Sequence, residues 1–222
     1  MEELKARLTQ TGLLACDTET VSLQDRTIIG VGFAPSKDEA CYIPVYSPLM
    51  SLAKEILEDV SILKTFYNSP FDLEVLAWSD IKVKGSLDLL TMARQHSLPG
   101  GLKLLATHIG WDKDEISDLI PPKGTMMDID EEVTADKCCW DVRITFELFY
   151  ILQPETDMSM IHRDGRALEC LARMHKVGLK VDSAHAEELD KPRVVELERL
   201  RQLAEEETGW EVNPGSPDQV AY

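Results

Sequence analysis

The sequence predicts an α/β fold, a sheet flanked by helices, followed by a short all-helical segment. Three observations carry this expectation. Short apolar runs bounded by turn residues are interleaved with stretches of helical spacing as far as about residue 151. Beyond Gln153-Pro154 the pattern is almost wholly helical. The 222 residues, 44% of them hydrophobic, suffice for one sizeable core with room for a small second unit.

Taken in order, MEELKARLTQTG at the N-terminus reads as a charged helix; it has no apolar h-region, so no secretory signal is expected. Residues 13–17, LLACD, form an apolar run ending in an acid, which suits a buried strand. Residues 27–33 and 39–45 read as two further strands, with turn chemistry supplied by Pro35, Ser36, Lys37 and Asp38. An antiparallel three-strand meander is the simplest arrangement. Leu52, Ile56 and Val60 give residues 50–60 a helical spacing, and residues 64–68, KTFYN, suggest a fourth strand. Ser69 is placed as an N-cap ahead of Pro70. Helices are expected over 86–96 and 102–109, broken by Leu98-Pro99-Gly100-Gly101. A loop over 112–129 then leads into a long helix over 131–151. After the boundary come a helix over 157–177, a short extended GLKVD and a helix over roughly 192–207.

The five cysteines, Cys16, Cys41, Cys138, Cys139 and Cys170, include no C-x-x-C pair, so neither a disulfide framework nor a zinc site is suggested. No run approaches the roughly 20 apolar residues that span a membrane, and a cytoplasmic protein is the default. A formal charge of −17 argues against a protein that coats DNA, because phosphate contacts need Lys and Arg. It is compatible with an enzyme that holds a few nucleotides through metal ions, whose charge inverts the local sign.

Three acidic motifs carry chemistry. In Asp17-Thr18-Glu19-Thr20 the alternation of a strand puts Asp17 and Glu19 on one face, about 7 Å apart along it. Two such carboxylates can share hard cations such as magnesium or manganese. They can equally be a turn residue and a solvated acid. In Asn68-Ser69-Pro70-Phe71-Asp72, Asp72 falls in a first helical turn, where the helix dipole favours a carboxylate in any case. Asp141 lies beside the apolar stripe Val133, Trp140, Ile144, Leu148 and Ile151 of the long helix. There it needs a partner or a metal, and Lys137, one turn earlier, is a ready ion-pair partner.

A strand-end D-x-E, a strand-to-helix N-x-x-x-D and a late helical Asp, in that order, resemble the DEDD exonuclease superfamily. Asp17, Glu19, Asp72 and Asp141 match its four acids. The segments YNSPFDLEVLAW, SLDLLTMARQHSLPGGLKLLATHIGW and CWDVRITFELF are similar to exonuclease motifs of family A DNA polymerases. MIHRDGRALECLARMHKVGLKVD resembles the helix leading out of that domain, and WEVNPGSPDQVAY the start of the polymerase domain. The resemblance implies a ribonuclease H-like mixed sheet, a 3′→5′ exonuclease domain over 1–152, and an incomplete helical start of a polymerase domain over 153–222. It implies hydrolysis of the 3′-terminal phosphodiester of single-stranded or frayed DNA, for proofreading, with two divalent ions (Mg2+ or Mn2+) held by Asp17, Glu19, Asp72 and Asp141. Asp88 becomes structural support. Thr20, Leu23, Asn68 and Phe71 become candidate substrate contacts by proximity, although Leu23 and Phe71 equally suit a core. The partners implied are a DNA 3′ end and the remaining polymerase domain, in the same or a separate chain; no polymerase palm or fingers motif is present, so no polymerisation by this chain alone is expected.

In that family a Tyr four residues before the third-motif Asp, or a His five before it, orients the attacking water. Here those positions hold Lys137 and Asp136. An ammonium at 137 can pair with Asp141, or with Glu19 across the site, and compete with the metal for them. Slow turnover is the expectation. The alternatives are a ribonuclease D-like or Werner-like exonuclease with the same four acids, and a catalytically weakened exonuclease-fold scaffold.

Overall fold

The computed structural model describes residues 2–111, 124–211, 213 and 216. By their contacts the residues fall into two compact units, one up to Val177 and one from Gly178.

In the first unit α1 (Glu2–Thr9) precedes β1 (Leu13–Thr20), β2 (Ile28–Ala34) and β3 (Cys41–Pro44). These three strands form the expected antiparallel meander. Then come α2 (Met50–Glu58), β4 (Leu63–Phe66), α3 (Ser69–Trp78), β5 (Ser86–Asp88), α4 (Leu89–Gln95) and α5 (Leu102–His108). The unit is completed by α6 (Glu131–Leu152) and α7 (Met158–Val177). The sheet order is β3-β2-β1-β4-β5, with β4 parallel to both β1 and β5, so the sheet is mixed as expected.

Side chains of β1 alternate between two cores. Leu14 and Cys16 join Phe33, Ile56, Phe66 and Leu76 on the side of α2 and α3. Leu13 and Ala15 join Leu87, Met92, Leu105, Val142 and Phe149 on the side of α4, α5 and α6. Lys64 in β4 is fully buried, its Nζ donating to the carbonyls of Asp59 (2.5 Å) and Ile62 (2.8 Å), and burial pulls its pKa down to about 8.

Several local expectations need correction. A strand, β5, stands where a helix was expected from residue 86; it pairs with β4, and Asp88 delays the helix by accepting from the Thr91 N–H at 3.2 Å. Asp88 also accepts from the Ser69 N–H at 2.9 Å, so one carboxylate ties together the starts of α3 and α4. The N-cap of α3 is Asn68, in the left-handed region at φ 62°, and Ser69 is the first helical residue. Val60 lies outside α2, because the extended Asp59 ends that helix, and is 71% exposed. In α6 the inward strip is Thr134, Cys138, Val142, Thr145, Phe149 and Leu152 along with Ile144 and Leu148, while Ile151 faces out. The small residues of this strip let α6 lie close against β2. A Cβ on Gly32 would stand 2.5 Å from the Cys138 sulfur, so only glycine permits the approach.

The packing does not divide at residue 152. Helix α7 packs on α3 and β5. The Ser86 N–H and hydroxyl both donate to Glu169 at 2.9 Å. A Cβ on Gly165 would lie 2.0 Å from the Ser86 carbonyl oxygen.

In the second unit α8 (Ser183–Thr208) starts well before residue 192 and carries Pro192 inside it. Asp182 caps it by accepting from the His185 N–H at 3.0 Å, and Gly209 ends it at φ 78°. Most of the expected 112–129 loop and most of WEVNPGSPDQVAY lie outside the described residues. No helix among the described residues is long and apolar enough to cross a membrane.

Candidate active site

Strand β1 runs three residues further than its apolar run suggests, to Thr20, and carries both acids within the sheet. The alternation that sends Leu13 and Ala15 towards α6 sends Asp17 and Glu19 the same way. Thr18 points to the opposite side, where its N–H and hydroxyl donate to Asp72 Oδ1 at 2.9 and 2.8 Å. Asp72, in the first turn of α3, is only 2% exposed. From α6 come Asp141 and, one turn earlier, Lys137. The Lys137 ammonium donates to Glu19 Oε1 at 2.7 Å and to Asp141 Oδ2 at 2.9 Å. The expectation that Lys137 faces the carboxylates therefore holds, and it engages both of the partners considered for it.

Cys138, which sequence reasoning missed, sits with its sulfur 3.8 Å from Asp17 Oδ2. One donor atom each from Asp17, Glu19 and Cys138 lie within 4.8 Å of one another. The signal was present: Cys138 precedes Asp141 by three positions and shares its helix face. Thr18 was also missed, because a strand residue between two acids reads as spacing.

The acids repel one another even with the Lys137 ammonium among them. Burial, and then the carboxylates of Asp72 and Glu19, push the Asp17 pKa well up. Burial raises Asp72 to about 7 despite the hydrogen bonds from Thr18. Burial also raises Glu19, with Lys137 opposing the shift. Burial works against the charge on Lys137, but Asp141 and Glu19 outweigh it and hold the ammonium well above the usual lysine range. Burial keeps the Cys138 thiol protonated, reinforced by Asp17 and Glu19.

The four acids, Thr18 and Lys137 line a cleft of about 620 Å³ in the first unit. Thr20, Leu23, Asn68 and Phe71 line it too, so all nine residues singled out in the sequence meet at one place. Thr20 is buried, Asn68 is exposed, and Leu23 stands 75% exposed, not in the core. Phe71 is half-buried against the α2/α3 core, with the Arg26 guanidinium 5.3 Å from its ring centre. Tyr67, Leu102 and Met126 complete the apolar part of the wall.

The donor set fits hard divalent cations: carboxylate oxygens from two strand positions and two helices, desolvated and mutually repelling. In the metal-free protein the sign of the pH dependence follows. The native carboxylates bind protons more tightly than the unfolded chain does, so their contribution to stability falls as pH rises from about 4 through about 7. A cation bound only by the native state opposes this loss by about 2.7 kcal/mol at a hundredfold excess over Kd. For a chain of this size that corresponds to a rise of roughly 5–10 °C in melting temperature. Thermal melts at pH 8 in chelator and in manganese should differ by that amount, and less at pH 5.5. Coincident melts at pH 8 would show that the acids do not form a cation site.

Comparison with known proteins agrees with this geometry. A family model described as 3′-5′ exonuclease matches residues 1–157. The chain is 28% identical to the DNA polymerase I of Chloroflexus aurantiacus, over 92% of this chain but only 25% of that protein. It thus spans about a quarter of the length of this relative. Among solved structures, the ribonuclease D of Trypanosoma brucei in complex with RNA U12 superposes with a TM-score of 0.64 at 18% identity, covering 78% of this chain and 67% of that one. NrnC of Brucella melitensis with bound Mg2+ gives a TM-score of 0.55 at 18% identity, covering 77% and 86%. The last two establish the fold, which is that of the ribonuclease D-like, ribonuclease H-like exonucleases.

Proposed function

We propose a function from one premise: the chain belongs to the 3′-5′ exonuclease family whose model it matches over residues 1–157. The reading is a metal-dependent exonuclease that removes the 3′-terminal nucleotide of single-stranded or frayed DNA, as the proofreading part of a family A DNA polymerase. The observation that carries it is the convergence of Asp17, Glu19, Asp72 and Asp141 on one cleft from β1, α3 and α6. Two divalent ions, when bound, would supply an acidified water and charge stabilisation at the leaving oxygen.

The chain's own residues do the rest. Asp17 stands between the other acids and would face both ions; Glu19 and Asp141 would hold one side, and Asp72 the other. Thr18 fixes the Asp72 carboxylate through two hydrogen bonds. Thr20 and Asn68 would offer polar contacts to the terminal nucleotide, with Leu23 and Phe71 giving its base an apolar surface without sequence preference. Lys137, which holds Glu19 and Asp141, stands where the family has its water-orienting side chain.

The remaining polymerase, in the same or a separate chain, is the proposed partner, and the cytoplasm the proposed location. The exposed Leu189, Val194, Val195 and Leu197 on α8 are suited to being covered by it. A second reading, an exoribonuclease, is favoured by the fold shared with ribonuclease D. Rates on DNA and RNA strands of one sequence, each single-stranded with a free 3′ hydroxyl, separate the two. DNA should be degraded faster; a clear preference for RNA would replace the proofreading assignment with the ribonuclease D-like one.

A further inference from the structure

We propose that the Lys137 ammonium is a built-in cation that occupies one of the two metal positions, so that the free protein takes up a single divalent ion. The inference rests on the metal-dependent reading above and deepens it. It stands on the geometry of α6 against β1. The Lys137 Nζ lies 2.7 Å from a Glu19 oxygen and 2.9 Å from an Asp141 oxygen, joining acids from two different elements. A magnesium-like ion ligated by these same two oxygens would need them at roughly 2.1 Å and would stand where the ammonium stands. Both cannot be there.

The pairing is not a loose surface contact. The Glu19 side chain is only 7% exposed and that of Asp141 17%, while Lys137, at 32%, comes down from the rim. A short i,i+4 spacing on α6 places the ammonium beside Asp141, and a strand residue completes the bridge. Charge balance points the same way. With Lys137 in place, one divalent ion leaves four ionised carboxylates slightly negative, and a second would turn the cluster positive before any phosphate arrives. Without Lys137, two divalent ions balance the four acids. Asp17 and the second oxygen of Asp72 remain for the single ion, since Thr18 engages only Oδ1.

The second ion can then enter only when Lys137 leaves. A nucleic-acid phosphate offers the ammonium an alternative anion, so substrate arrival is the event that would release Glu19 and Asp141. Lys137 becomes a positioning residue whose displacement couples the second metal to the presence of a DNA end.

Counting bound manganese in the absence of nucleic acid tests this directly, by the loss of the free-ion paramagnetic resonance signal during titration of the full 222-residue chain. The parent should take up one tight ion per chain. Lys137→Tyr and the neutral Lys137→Met should each take up two, and Asp17→Asn should lose the tight ion. Two tight ions in the parent, or one in both Lys137 variants, overturns the inference and leaves the metal-site reading standing. No tight ion in any of the versions overturns both.

Discussion

Asp17→Ala is expected to lower metal-dependent hydrolysis of a single-stranded DNA end by about 10³-fold or more. Bound metal ions contribute several kcal/mol of transition-state stabilisation, and each 1.36 kcal/mol is a factor of ten in rate. Asp17 lies between the side chains of β1 and α6, where it is felt by Asp72, Glu19, Lys137 and Asp141 together. The same crowding separates lost chemistry from lost structure. Burial and three neighbouring acids already oppose its charge, so removing it relieves repulsion in the metal-free protein. The variant should melt no lower than the parent in chelator, and should lose the stabilisation by manganese. A parent-like rate in Asp17→Ala would remove Asp17 from the mechanism.

Lys137→Tyr is expected to raise the single-turnover rate by about tenfold or more at matched manganese, a part of the 10²–10⁴ that a well-placed proton-transfer or water-orienting group contributes in full. An ammonium has three donors and no acceptor, so it cannot accept a proton from the attacking water. A phenolic oxygen both donates and accepts. The substitution also frees Glu19 and Asp141, so the apparent manganese affinity should tighten. It leaves those two acids unpaired in the metal-free protein, which should then melt lower than the parent and recover when manganese is added. A Tyr variant no faster than the parent at saturating manganese would show that Lys137 is not what limits turnover.

Much of this was legible in the chain because the chemistry sits on regular elements. The alternation in β1 fixes the shared face of Asp17 and Glu19, and the four-residue spacing in α6 fixes Lys137 beside Asp141. What the sequence concealed depends on contacts between elements. The three-residue strand Ser86–Asp88 is shorter than any period that could reveal it, and its identity comes from pairing with β4. The family resemblance makes Asp88 structural support, but its two tasks, capping α4 and holding the Ser69 N–H of α3, come from a contact between elements. The close approach of α6 to β2 depends on Gly32, and no local pattern marks a glycine that a distant cysteine will touch. Leu23, as apolar as its core neighbours, is exposed at the cleft because the short turn 22–25 carries it out. Gln153-Pro154 interrupts the helices, but α7 beyond it packs on α3 and β5, and the first compact unit runs to Val177.

The most direct measurement uses a 5′-labelled single-stranded DNA incubated with the purified chain and manganese, with products resolved to the nucleotide. The expected result is a ladder that shortens stepwise from the 3′ end and releases nucleoside monophosphates, is absent in chelator, and is blocked by a 3′-terminal phosphorothioate. Internal cuts without a stepwise ladder, or the same ladder in chelator, would contradict a metal-dependent 3′→5′ exonuclease built on Asp17, Glu19, Asp72 and Asp141.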